Sequence, residues 1–490
     1  MRTIALLVAT MLVVTNSGAQ TPLTLDTTFV HFITPEWIVQ WNGGFVVKDV
    51  ALRPDGNLLL TGNQLRPPGT PTGNGAGGVL LVDEHGDYVA SEFNSSSGGR
   101  ITEMLNGQYF YGYKRWNANG TRDLTFGYPD LPYQGTMSHH VLPDRSVLVV
   151  GMFKIEEDGL IEYGLIRVDE WGEYDPTYTA RKVGPGTSQT VDRIIPVSND
   201  QFILSGTFST YEGEFSGPII RINADGTRDP GFYFPAWKGD LYKVYEQPDG
   251  KLLLGGRFFM NDVPDTLKLV RVLPDGSLDN TFNNLADYRT NTGPYSAMAS
   301  GVGVVTPLGD GRIVVGGTFT HVDGEPRGSI ACIDTSGNLL DCWAGGGLIP
   351  QNYTPSGGPY VGLSDFKCLP NGSCYLFGQY KGFIDANGPH LRQCLMSRIF
   401  MPDVGVAEAR ASQPAILVWP NPGADQLHIL VDMANVCTFQ LTDVYGRVVM
   451  EGDVQQTTTT LNTSNLPSGV YVLLVSSADG TRKTHKWIRS

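Results

Sequence analysis

The chain has 490 residues, of which 41% are hydrophobic and 17% are charged, and its formal net charge is −14 at pH 7. This composition excludes a disordered chain, and the acidic excess disfavours nucleic acids and anionic membranes as partners, since both are bound mainly through clustered Lys and Arg. Sixty Gly and 31 Pro, with 21 Tyr and 21 Phe, predict many tight turns and aromatic strands, and therefore an all-β protein.

The N-terminal segment has the pattern of a secretory signal peptide. Arg2 supplies the positive charge, an apolar run extends from Ile4 to Val14, and the small residues Ser17 and Ala19 precede the predicted cleavage point. A membrane anchor is the alternative, but it needs about 20 apolar residues, more than this run contains. We therefore predict that residues 1–19 are removed on export.

Residues 20–400 contain seven copies of one repeat. The clearest copy extends from Leu241 to Phe282 and holds two Asp-Gly turns, each between apolar runs that predict strands. A Gly ends the second strand of every copy, and such a Gly indicates a close backbone approach or a β-bulge. These glycines are Gly62, Gly112, Gly151, Gly206, Gly256, Gly317 and Gly378.

The seventh copy lacks its last strand, and the missing piece stands near the other end of the chain. The copy stops at Leu395 to Phe400, whereas Leu23 to Phe29 matches the last strand of the fifth copy. An N-terminal strand that completes the last unit closes a ring and leaves no open sheet edge. We therefore predict a seven-bladed β-propeller; an open solenoid, the alternative, would need capping units instead.

The motif PDGxLLLxG followed by RVxxDGxxDxxF resembles the delta-60 repeat family over roughly Leu23 to Phe400. The resemblance implies a β-propeller of the kind found in exported bacterial proteins. The second copy is short, and the third and fourth lack the Gly of the first turn. We expect the least regular blades in these three copies.

One face of the predicted disc carries the long connections. In an antiparallel four-stranded blade, the turns between strands 1 and 2 and between strands 3 and 4 share a face, which leaves the longer connections on the opposite face. Those connections are rich in aromatic residues, which either stack on a sugar or peptide ligand or fill gaps between blades. The candidate ligand residues are Trp37, Tyr133, Trp237, Tyr295 and Tyr360.

The cysteines leave two alternatives open. Cys332 and Cys342, and likewise Cys368 and Cys374, straddle predicted hairpin turns, so each pair forms either a local disulfide or two buried thiols. A zinc site is disfavoured, because no second C-x2-C or H-x3-H element accompanies them.

We find no pattern that indicates catalysis, a cofactor or a metal. Gly73, Gly75 and Gly78 match a dinucleotide fingerprint in spacing only, since no helix follows them. His139 and His140 stand in a predicted loop, which favours surface positions over ligand or catalytic roles. We therefore predict no cofactor, no metal and no catalytic residue.

After Phe400 the repeat stops, and residues 401–415 are predicted to be a linker. Residues 416–490 alternate apolar and polar positions in short strands, which predicts a small Ig-like β-sandwich. This segment is similar to the type A C-terminal sorting domain of the type IX secretion system. The residues that carry the resemblance are Pro420, Asn421, Pro422, Asp443, Gly446, Arg447, Leu466, Pro467, Gly469, Tyr471 and Lys486.

The resemblance implies the partners and the location of the protein. Type IX proteins of Bacteroidota pass the periplasm, cross the outer membrane, and lose this module to a cell-surface sortase, here within residues 401–415. The mature protein is then released or attached to surface lipopolysaccharide. We predict a non-catalytic scaffold that binds a glycan or a protein; the alternative is an extracellular polysaccharide hydrolase or lyase with carboxylates converging at the channel mouth.

Overall fold

The computed structural model is almost entirely β-structure. The part of the chain that it describes contains 39 strands, numbered in chain order, and one short 3-10 helix, Leu391–Gln393. No helix in that part is long and apolar enough to cross a membrane. The structure describes residues 23–33, 46–53, 55–63, 65, 67, 79–93, 100–104, 107–111, 114–127, 133–156, 160–184, 190–261, 263–290, 300–308, 310–342, 346–349, 362–369, 373–385, 387–400, 416–419, 426–431, 437–443, 447–454, 458–477 and 482–489.

Nine antiparallel sheets of three or four strands lie within the described part of the repeat region. Seven of them are built from the strands of the repeat motif, and we number these as blades 1–7. Blades 1 and 2 consist of β2 (Val46–Leu52), β3 (Leu58–Asn63), β4 (Val79–Val82) and β5 (Tyr88–Phe93), then β6 (Thr102–Glu103), β7 (Tyr109–Tyr111) and β8 (Lys114–Trp116). Blades 3, 4 and 5 consist of β9 (Tyr133–Val141), β10 (Val147–Glu156) and β11 (Leu160–Val168), then β12 (Val191–Val197), β13 (Gln201–Gly206) and β16 (Ile219–Ile222), then β17 (Ala236–Glu246), β18 (Leu252–Met260) and β19 (Leu267–Val272). Blades 6 and 7 consist of β21 (Val302–Pro307), β22 (Ile313–Gly317), β25 (Ile330–Ile333) and β26 (Leu339–Leu340), then β28 (Gly362–Cys368), β29 (Cys374–Gln379), β32 (Met396–Phe400) and β1 (Thr24–Leu25).

Neighbouring blades share buried apolar clusters that continue around a closed ring. Phe377 and Met396 of blade 7 pack with Val47 and Leu60 of blade 1, so the last sheet contacts the first. Comparable clusters join blades 1 to 2, 2 to 3, 3 to 4, 4 to 5, 5 to 6 and 6 to 7. The middle strands of the blades, such as β3 and β13, are covered on both faces, which explains their runs of consecutive apolar residues. The prediction of an all-β propeller is confirmed.

The ends of the repeat region meet in blade 7. Thr24 pairs with Phe400 and Leu25 pairs with Ile399, so that β1 forms the outer strand beside β32. His31, just beyond this strand, is buried, and its Nε2 lies 3.1 Å from the carbonyl oxygen of Met396. The N-terminal segment therefore completes the last sheet.

The turns of the irregular copies are more regular than we expected. In blade 5, Gly250 and Gly276 adopt φ of +80° and +87°, the left-handed conformation that these turns require. Blade 3 has Arg145 in the corresponding place with φ of +70°, and blade 4 has Asn199 and Asp200 at +62° and +54°. Asn and Asp adopt this conformation at small cost, which explains the turn of blade 4, whereas Arg145 adopts it at the higher cost of an ordinary side chain.

An Arg-Asp latch recurs in the third strand of five blades. In blade 5, Arg271 Nε donates to Asp279 Oδ2 at 2.8 Å, and the guanidinium lies 4.9 Å over the ring of Phe282. Asp279 also accepts the backbone N–H and the hydroxyl of Thr281. Arg271 Nη1 donates to the carbonyl of Thr335 in blade 6, so the latch ties two blades together. The equivalent pairs are Arg115–Asp123, Arg167–Asp175, Arg221–Asp229 and Arg398–Asp26.

Blade 6 has a disulfide in place of the latch. Cys332 occupies the position of Arg271 and Cys342 occupies that of Thr281, counted from the turn glycine of each blade. The two sulfurs are bonded, with Cα atoms 5.8 Å apart. Leu340 pairs with Cys332 and stands where the other blades have the latch Asp.

A second disulfide closes the first hairpin of blade 7. It joins Cys368 and Cys374, which face each other across β28 and β29. Both pairs that the spacing left open are thus disulfides. Cys394 is a buried thiol whose Sγ donates to the carbonyl of Ile33 at 3.6 Å.

Short additional sheets lie among the long connections. They join the loop that leaves one blade to the loop between the second and third strands of the next blade, as in the pairing of Tyr288 with Val322. Nothing in the repeat motif predicts them, because they are formed by residues outside it. Their strands are β14 (Thr210–Tyr211) and β15 (Glu214–Phe215), β20 (Tyr288–Arg289), β23 (His321–Val322) and β24 (Glu325–Pro326), and β27 (Gly347–Ile349), β30 (Gly382–Asp385) and β31 (Gly388–His390).

The C-terminal module is built from two sheets around one apolar core. Leu427 and Ile429 of one sheet share this core with Leu441, Leu473 and Trp487 of the other. The module therefore has a core of its own, separate from the clusters of the blades. The sheets contain β33 (Ile416–Trp419), β34 (Gln426–Val431) and β37 (Thr458–Asn462), and β35 (Cys437–Asp443), β36 (Val448–Val454), β38 (Gly469–Ser477) and β39 (Arg482–Arg489).

The latches and the buried histidines predict that acid destabilises the propeller in two steps. Burial lowers the pKa of His31 and His139 to about 4, so below about pH 6.5 the unfolded chain binds protons at these residues more tightly than the folded chain does. Burial raises the pKa of the latch carboxylates, but their Thr and Arg partners outweigh it and hold the pKa below its usual value, as at Asp26 and Asp175. Their stabilisation is present above about pH 4 and is lost as the pH falls further.

We therefore expect the free energy of unfolding to decrease from pH 7 to pH 4 and to decrease more steeply below pH 4. Denaturant titrations at fixed pH values would measure this. His31→Phe should reduce the slope of the free energy of unfolding between pH 7 and pH 4. Asp175→Asn should reduce the slope below pH 4. Equal slopes in the parent protein and both variants would contradict the assignment of these groups.

Candidate functional site

A β-bulge recurs at one position in the first strand of six blades. In blade 5 the register shifts between Leu241, which pairs with Gly256, and Lys243, so Tyr242 is the extra residue. In each case the bulge stands opposite the Gly that ends the second strand. The extra residues of blades 1, 3, 4, 6 and 7 are Lys48, Met137, Asp192, Gly303 and Ser364.

The repeat glycine makes room for this bulge. A Cβ on Gly256 would lie 2.1 Å from the carbonyl oxygen of Asp240, and one on Gly317 would lie 1.9 Å from that of Gly301. Gly62 and Gly378 are equally crowded. The prediction of a close approach or a bulge is therefore confirmed at the six repeat glycines that the structure describes, and Gly112 lies outside the described residues. Bulges redirect side chains, and here they turn one residue per blade out of the regular alternation.

Four of the bulge residues, those of blades 1, 5, 6 and 7, line a cavity of about 330 Å³. The first strands of neighbouring blades contact each other around the axis, and the bulges lie where the second strands end, which is the side of the long connections. Thr318 and the backbone of four glycines contribute to the wall. The larger side chains that line the cavity are Lys48, Arg100, Arg193, Tyr242, Leu363 and Ser364.

The described lining of this cavity contains three cations and no carboxylate. Among the described residues, the guanidinium of Arg193 has no ion-pair or hydrogen-bond partner and lies 6.0 Å from the ring centre of Tyr242. Burial lowers the pKa of Arg193, and the nearby charge of Arg100 lowers it further, whereas Tyr242 and the carboxylate of Asp192 oppose this shift. Burial also lowers the pKa of Lys48. The cavity therefore concentrates positive charge in a chain whose net charge is −14.

Two carboxylates near the axis are engaged with partners. Asp365 Oδ2 accepts a hydrogen bond from Lys243 Nζ at 2.8 Å and lies 3.9 Å from Arg100 Nη2. Asp49 Oδ2 accepts the backbone N–H of Ile101 at 3.0 Å. The bonds to Asp365 connect blade 7 with blade 5 and with the segment that enters blade 2. The bond to Asp49 connects the neighbouring blades 1 and 2. Neither carboxylate lines the cavity, although Asp365 forms an ion pair with Arg100 of the cavity wall.

An aromatic platform lies on the same side as the cavity. Trp237, in β17, is 56% exposed, and its ring centre is 5.8 Å from that of Phe259 in β18. Lys238 Nζ lies 5.8 Å over the Phe259 ring. Trp237 is itself the extra residue of a second bulge, between Ala236 and Lys238. We call Trp237, Lys238 and Phe259 the β17 platform.

The β17 platform and the cavity belong to one hairpin. Asp240 accepts a hydrogen bond from Arg257 Nε at 3.1 Å, and Arg257 also bonds the hydroxyl of Tyr242 in the cavity wall. Trp237 and Tyr242 are five residue steps apart along the extended strand, which is about 16 Å. A single elongated ligand could therefore reach from one to the other.

The side chains of the other predicted ligand residues lie outside the described part of the structure. Tyr133 lies in β9, where its backbone pairs with Phe153, and its side chain is outside the described residues. Trp37, Tyr295 and Tyr360 lie outside the described residues altogether. Trp237 is the predicted residue whose side chain the structure describes.

The prediction that His139 and His140 lie in a loop is wrong. Both belong to β9, the first strand of blade 3. His139 packs 4.6 Å from the ring of Phe110 in blade 2, and His140 packs 5.1 Å from the ring of Phe202 in blade 4. They are therefore packing residues between blades. Their polar sequence context concealed a strand that is covered on both sides.

The sorting motifs form two local structures. Asp443 closes the hairpin between β35 and β36, accepting from the backbone N–H of Arg447 at 3.0 Å and from its Nε at 2.8 Å. Tyr471 donates its hydroxyl to the carbonyl of Pro467 at 2.7 Å, and Arg489 Nη1 donates to the carbonyl of Leu466.

The remaining motif residues have simpler positions. Gly469 begins β38, and Lys486 lies in β39, paired with Val472. The others, which lie outside the described residues, are Pro420, Asn421, Pro422 and Gly446.

The sequence contained a signal for the cavity residues that the motif search did not use. Each bulge residue stands fourteen positions before its repeat glycine, as Lys48 does before Gly62 and Tyr242 before Gly256. The residue type changes from blade to blade, so a search for shared residues passes over this position. Counting back from the glycine would have identified it.

Comparison with known families gives two matches. Residues 417–490 match the model of the secretion system C-terminal sorting domain. Residues 198–232, 247–282 and 308–339 match the model of a domain of unknown function, the DUF5122 beta-propeller. The resemblances to the delta-60 repeat and to the type IX sorting domain are thereby confirmed. The sorting domain indicates export to the cell surface or the extracellular medium.

Several solved structures are similar at low identity, and no curated protein matches the chain. An extracellular domain of a hybrid two-component system protein from B. thetaiotaomicron is 12% identical, with a TM-score of 0.41 and coverage of 94% of this chain and 58% of that one. PorZ, a surface component of the type IX secretion system of Porphyromonas gingivalis, is 12% identical, with a TM-score of 0.29 and coverage of 91% and 59%. The GH74 enzyme of Niastella koreensis is 14% identical, with a TM-score of 0.36 and coverage of 89% and 65%. The chain thus spans about three fifths of the length of these proteins.

Proposed function

We propose that this exported chain, with its DUF5122 propeller repeats and its secretion-system sorting domain, is a non-catalytic binding scaffold that takes its ligand at the cavity on the long-connection side. The observation that carries the proposal is the chemistry of the cavity wall. Three cations, one tyrosine and exposed glycine backbone offer contacts to a ligand, whereas the described wall offers no carboxylate to act as acid, base or nucleophile.

The residues on either side of the cavity support binding. The axial carboxylates Asp365 and Asp49 are engaged by Lys243 and by the backbone of Ile101, and are thus occupied in holding the strands. Exposed aromatic groups at a rim are typical of binding surfaces, because they give contact area at low entropic cost.

One observation favours the hydrolase or lyase alternative. The pKa of Glu103, in the first strand of blade 2, is raised above its usual value. Desolvation is the largest cause and Asp49 adds to it, while the charge of Lys367 acts in the opposite direction. A carboxylic acid with a raised pKa near a second carboxylate is the arrangement that glycosidases use for acid catalysis. If the chain cleaves its ligand, Glu103 is the residue to act as the acid.

Binding and cleavage can be separated in one experiment. The protein comprising residues 20–490 would be applied to arrays of glycans and peptides, and each bound compound would then be incubated with the protein in solution. We expect binding without any new reducing end or unsaturated product. Product formation that Glu103→Gln abolishes would replace the scaffold proposal by the enzyme alternative.

We also propose that the boundaries of the modules follow the repeats and the sorting domain, with export and cleavage as the resemblance implies. On this proposal, residues 1–19 are removed in the inner membrane and residues 401–415 contain the sortase site. The last strand of the propeller ends at Phe400. A cut after this strand leaves every blade intact.

Removal of residues 416–490 should therefore block surface delivery without unfolding the propeller. We expect the truncated protein to accumulate in the periplasm, whereas the complete protein reaches the surface or the medium with a new C-terminus within residues 401–415. Cell fractionation and mass spectrometry of the termini would measure both. An intact Ser490 in the periplasm for the complete protein would contradict the proposed route.

A further inference from the structure

We propose that the ligand is an acidic polysaccharide whose carboxylate or sulfate group binds between Arg100 and Arg193 and whose sugar rings extend along β17 to the β17 platform. This inference rests on the proposed binding function and adds the chemical class of the ligand. Three observations carry it: the charge of the cavity, the state of Arg193, and the hairpin that joins the cavity to exposed aromatic rings.

The charge of the cavity selects an anion. Lys48, Arg100 and Arg193 come from three different blades and converge on a space of about 330 Å³. The charge of Arg100 acts unfavourably on Arg193. Asp365, 3.9 Å from Arg100 Nη2, and Asp192, near Arg193, offset part of this positive charge from outside the cavity wall. An oxyanion between the two guanidinium groups would relieve this repulsion and accept charge-assisted hydrogen bonds from both.

Arg193 is prepared for this role by its neighbours. Its side chain is half-buried, and its guanidinium lies 6.0 Å from the centre of the Tyr242 ring, a contact that leaves its N–H groups unused. The latch arginines, by contrast, direct their N–H groups to Asp partners, as Arg271 does to Asp279. In the described part of the chain, Arg193 keeps all five donors for a ligand.

The hairpin of β17 and β18 gives the ligand its shape. Trp237 at one end is 56% exposed, and Tyr242 at the other lines the cavity, about 16 Å away along the strand. Flat aromatic faces stack on the apolar faces of sugar rings, and a saccharide chain offers such faces at every unit. An acidic peptide would satisfy the arginines but offers no repeated flat face to Trp237, so the structure favours a polysaccharide.

The test uses the protein of residues 20–490 and isothermal titration at low and moderate salt. The probes are oligogalacturonate for carboxylate, a chondroitin sulfate oligosaccharide for sulfate, a neutral cello-oligosaccharide of equal length, and a poly-glutamate peptide. We expect binding of at least one acidic saccharide, weakened by salt, and at least tenfold weaker binding of the neutral one. The two acidic probes distinguish carboxylate from sulfate.

Matched variants then locate the site. Arg193→Gln should weaken the binding of the acidic saccharide by about ten- to a hundredfold, because it removes charge-assisted hydrogen bonds. Arg122→Gln, an equal charge change at an exposed turn of blade 2, should leave the affinity unchanged. Trp237→Ala should weaken binding several-fold. Unchanged melting temperatures of the three variants would show that folding is not the cause.

Each other outcome overturns a defined part. Equal affinity for neutral and acidic saccharides, with no effect of Arg193→Gln, overturns the acidic ligand and leaves the scaffold proposal standing. Binding of poly-glutamate alone replaces the polysaccharide by a peptide. Absence of binding to all four probes overturns the acidic polysaccharide, and absence of binding on the arrays as well overturns the scaffold proposal itself.

Discussion

Replacing Arg398 by Ala should lower the free energy of unfolding by about 3–5 kcal/mol, the cost of breaking a buried ion pair from one side. Asp26 is 1% exposed and accepts 2.6 Å hydrogen bonds from Arg398 Nε and from the hydroxyl of Thr28. Without Arg398 its charge stays buried with fewer partners. The same change removes the stacking of the guanidinium on Phe29 and the bond to the carbonyl of Glu84 in blade 1. Denaturant titration followed by tryptophan fluorescence would measure the loss.

The control is the same latch within a continuous segment of chain. Arg221 and Asp229 are eight residues apart in blade 4, whereas Arg398 and Asp26 are 372 apart. Arg221→Ala should therefore weaken one blade boundary, but only Arg398→Ala should also expose the N-terminal strand to proteolysis before global unfolding. Equal protection of that strand in the two variants would contradict a special role of the latch in closing the ring.

Removing the disulfide of blade 6 is expected to have the second largest effect. The Cys332→Ser, Cys342→Ser variant should lose about 2–3 kcal/mol, because the bridge constrains the unfolded chain and fastens the outer strand of a blade that lacks the latch. The same loss should occur when the parent protein is reduced. Melting curves with and without reductant would measure it.

A designed latch tests whether the disulfide substitutes for the ion pair. Cys332→Arg, Leu340→Asp and Cys342→Thr together recreate the pattern of blade 5. In blade 5, Asp279 forms ion pairs with both Arg271 and Lys251. In blade 6, Arg312 occupies the position that corresponds to Lys251. The new carboxylate would therefore have two cationic partners.

We expect this triple variant to recover most of the lost stability and to become insensitive to reductant. The pair Cys368 and Cys374 provides the comparison, since their bridge spans a hairpin that its strands already hold, and serine substitution there should cost less. A triple variant no more stable than the double serine variant would show that the bridge does not replace the latch.

The fold was predictable because its determinants recur in every copy. The glycine at the end of the second strand, such as Gly256, is required wherever a bulge brings a carbonyl within about 2 Å of the position of a Cβ, and so it marks each blade in the sequence. The closing strand was predictable for the same reason, because Leu23 to Phe29 repeats a known unit. The disulfide of blade 6 could have been found by aligning Cys332 with Arg271.

The cavity was not predictable in the same way. Its residues share a position but not a chemistry, since Lys48, Tyr242 and Ser364 stand at equivalent places in different blades. Arg100 and Arg193 are far apart in the sequence, and only the closed ring of blades places both in the wall of one cavity. His139 was misplaced for a related reason, because polar residues in the first strand are covered by neighbouring blades and not by their own sheet.

The pairing of β1 with β32 also fixes an order of events in time. β1 is synthesised first, yet it cannot be placed until the chain as far as Phe400 is available, so the first strand made is the last to dock. The earlier blades form from local hairpins, which assemble quickly, while the final step closes a loop of more than 370 residues at a cost in chain entropy. Until then β32 presents an open edge, and the β1 of a second molecule fits that edge as well as the molecule's own does. Dilution therefore favours the closed monomer, and crowding of unfinished chains favours exchange of the strand between copies.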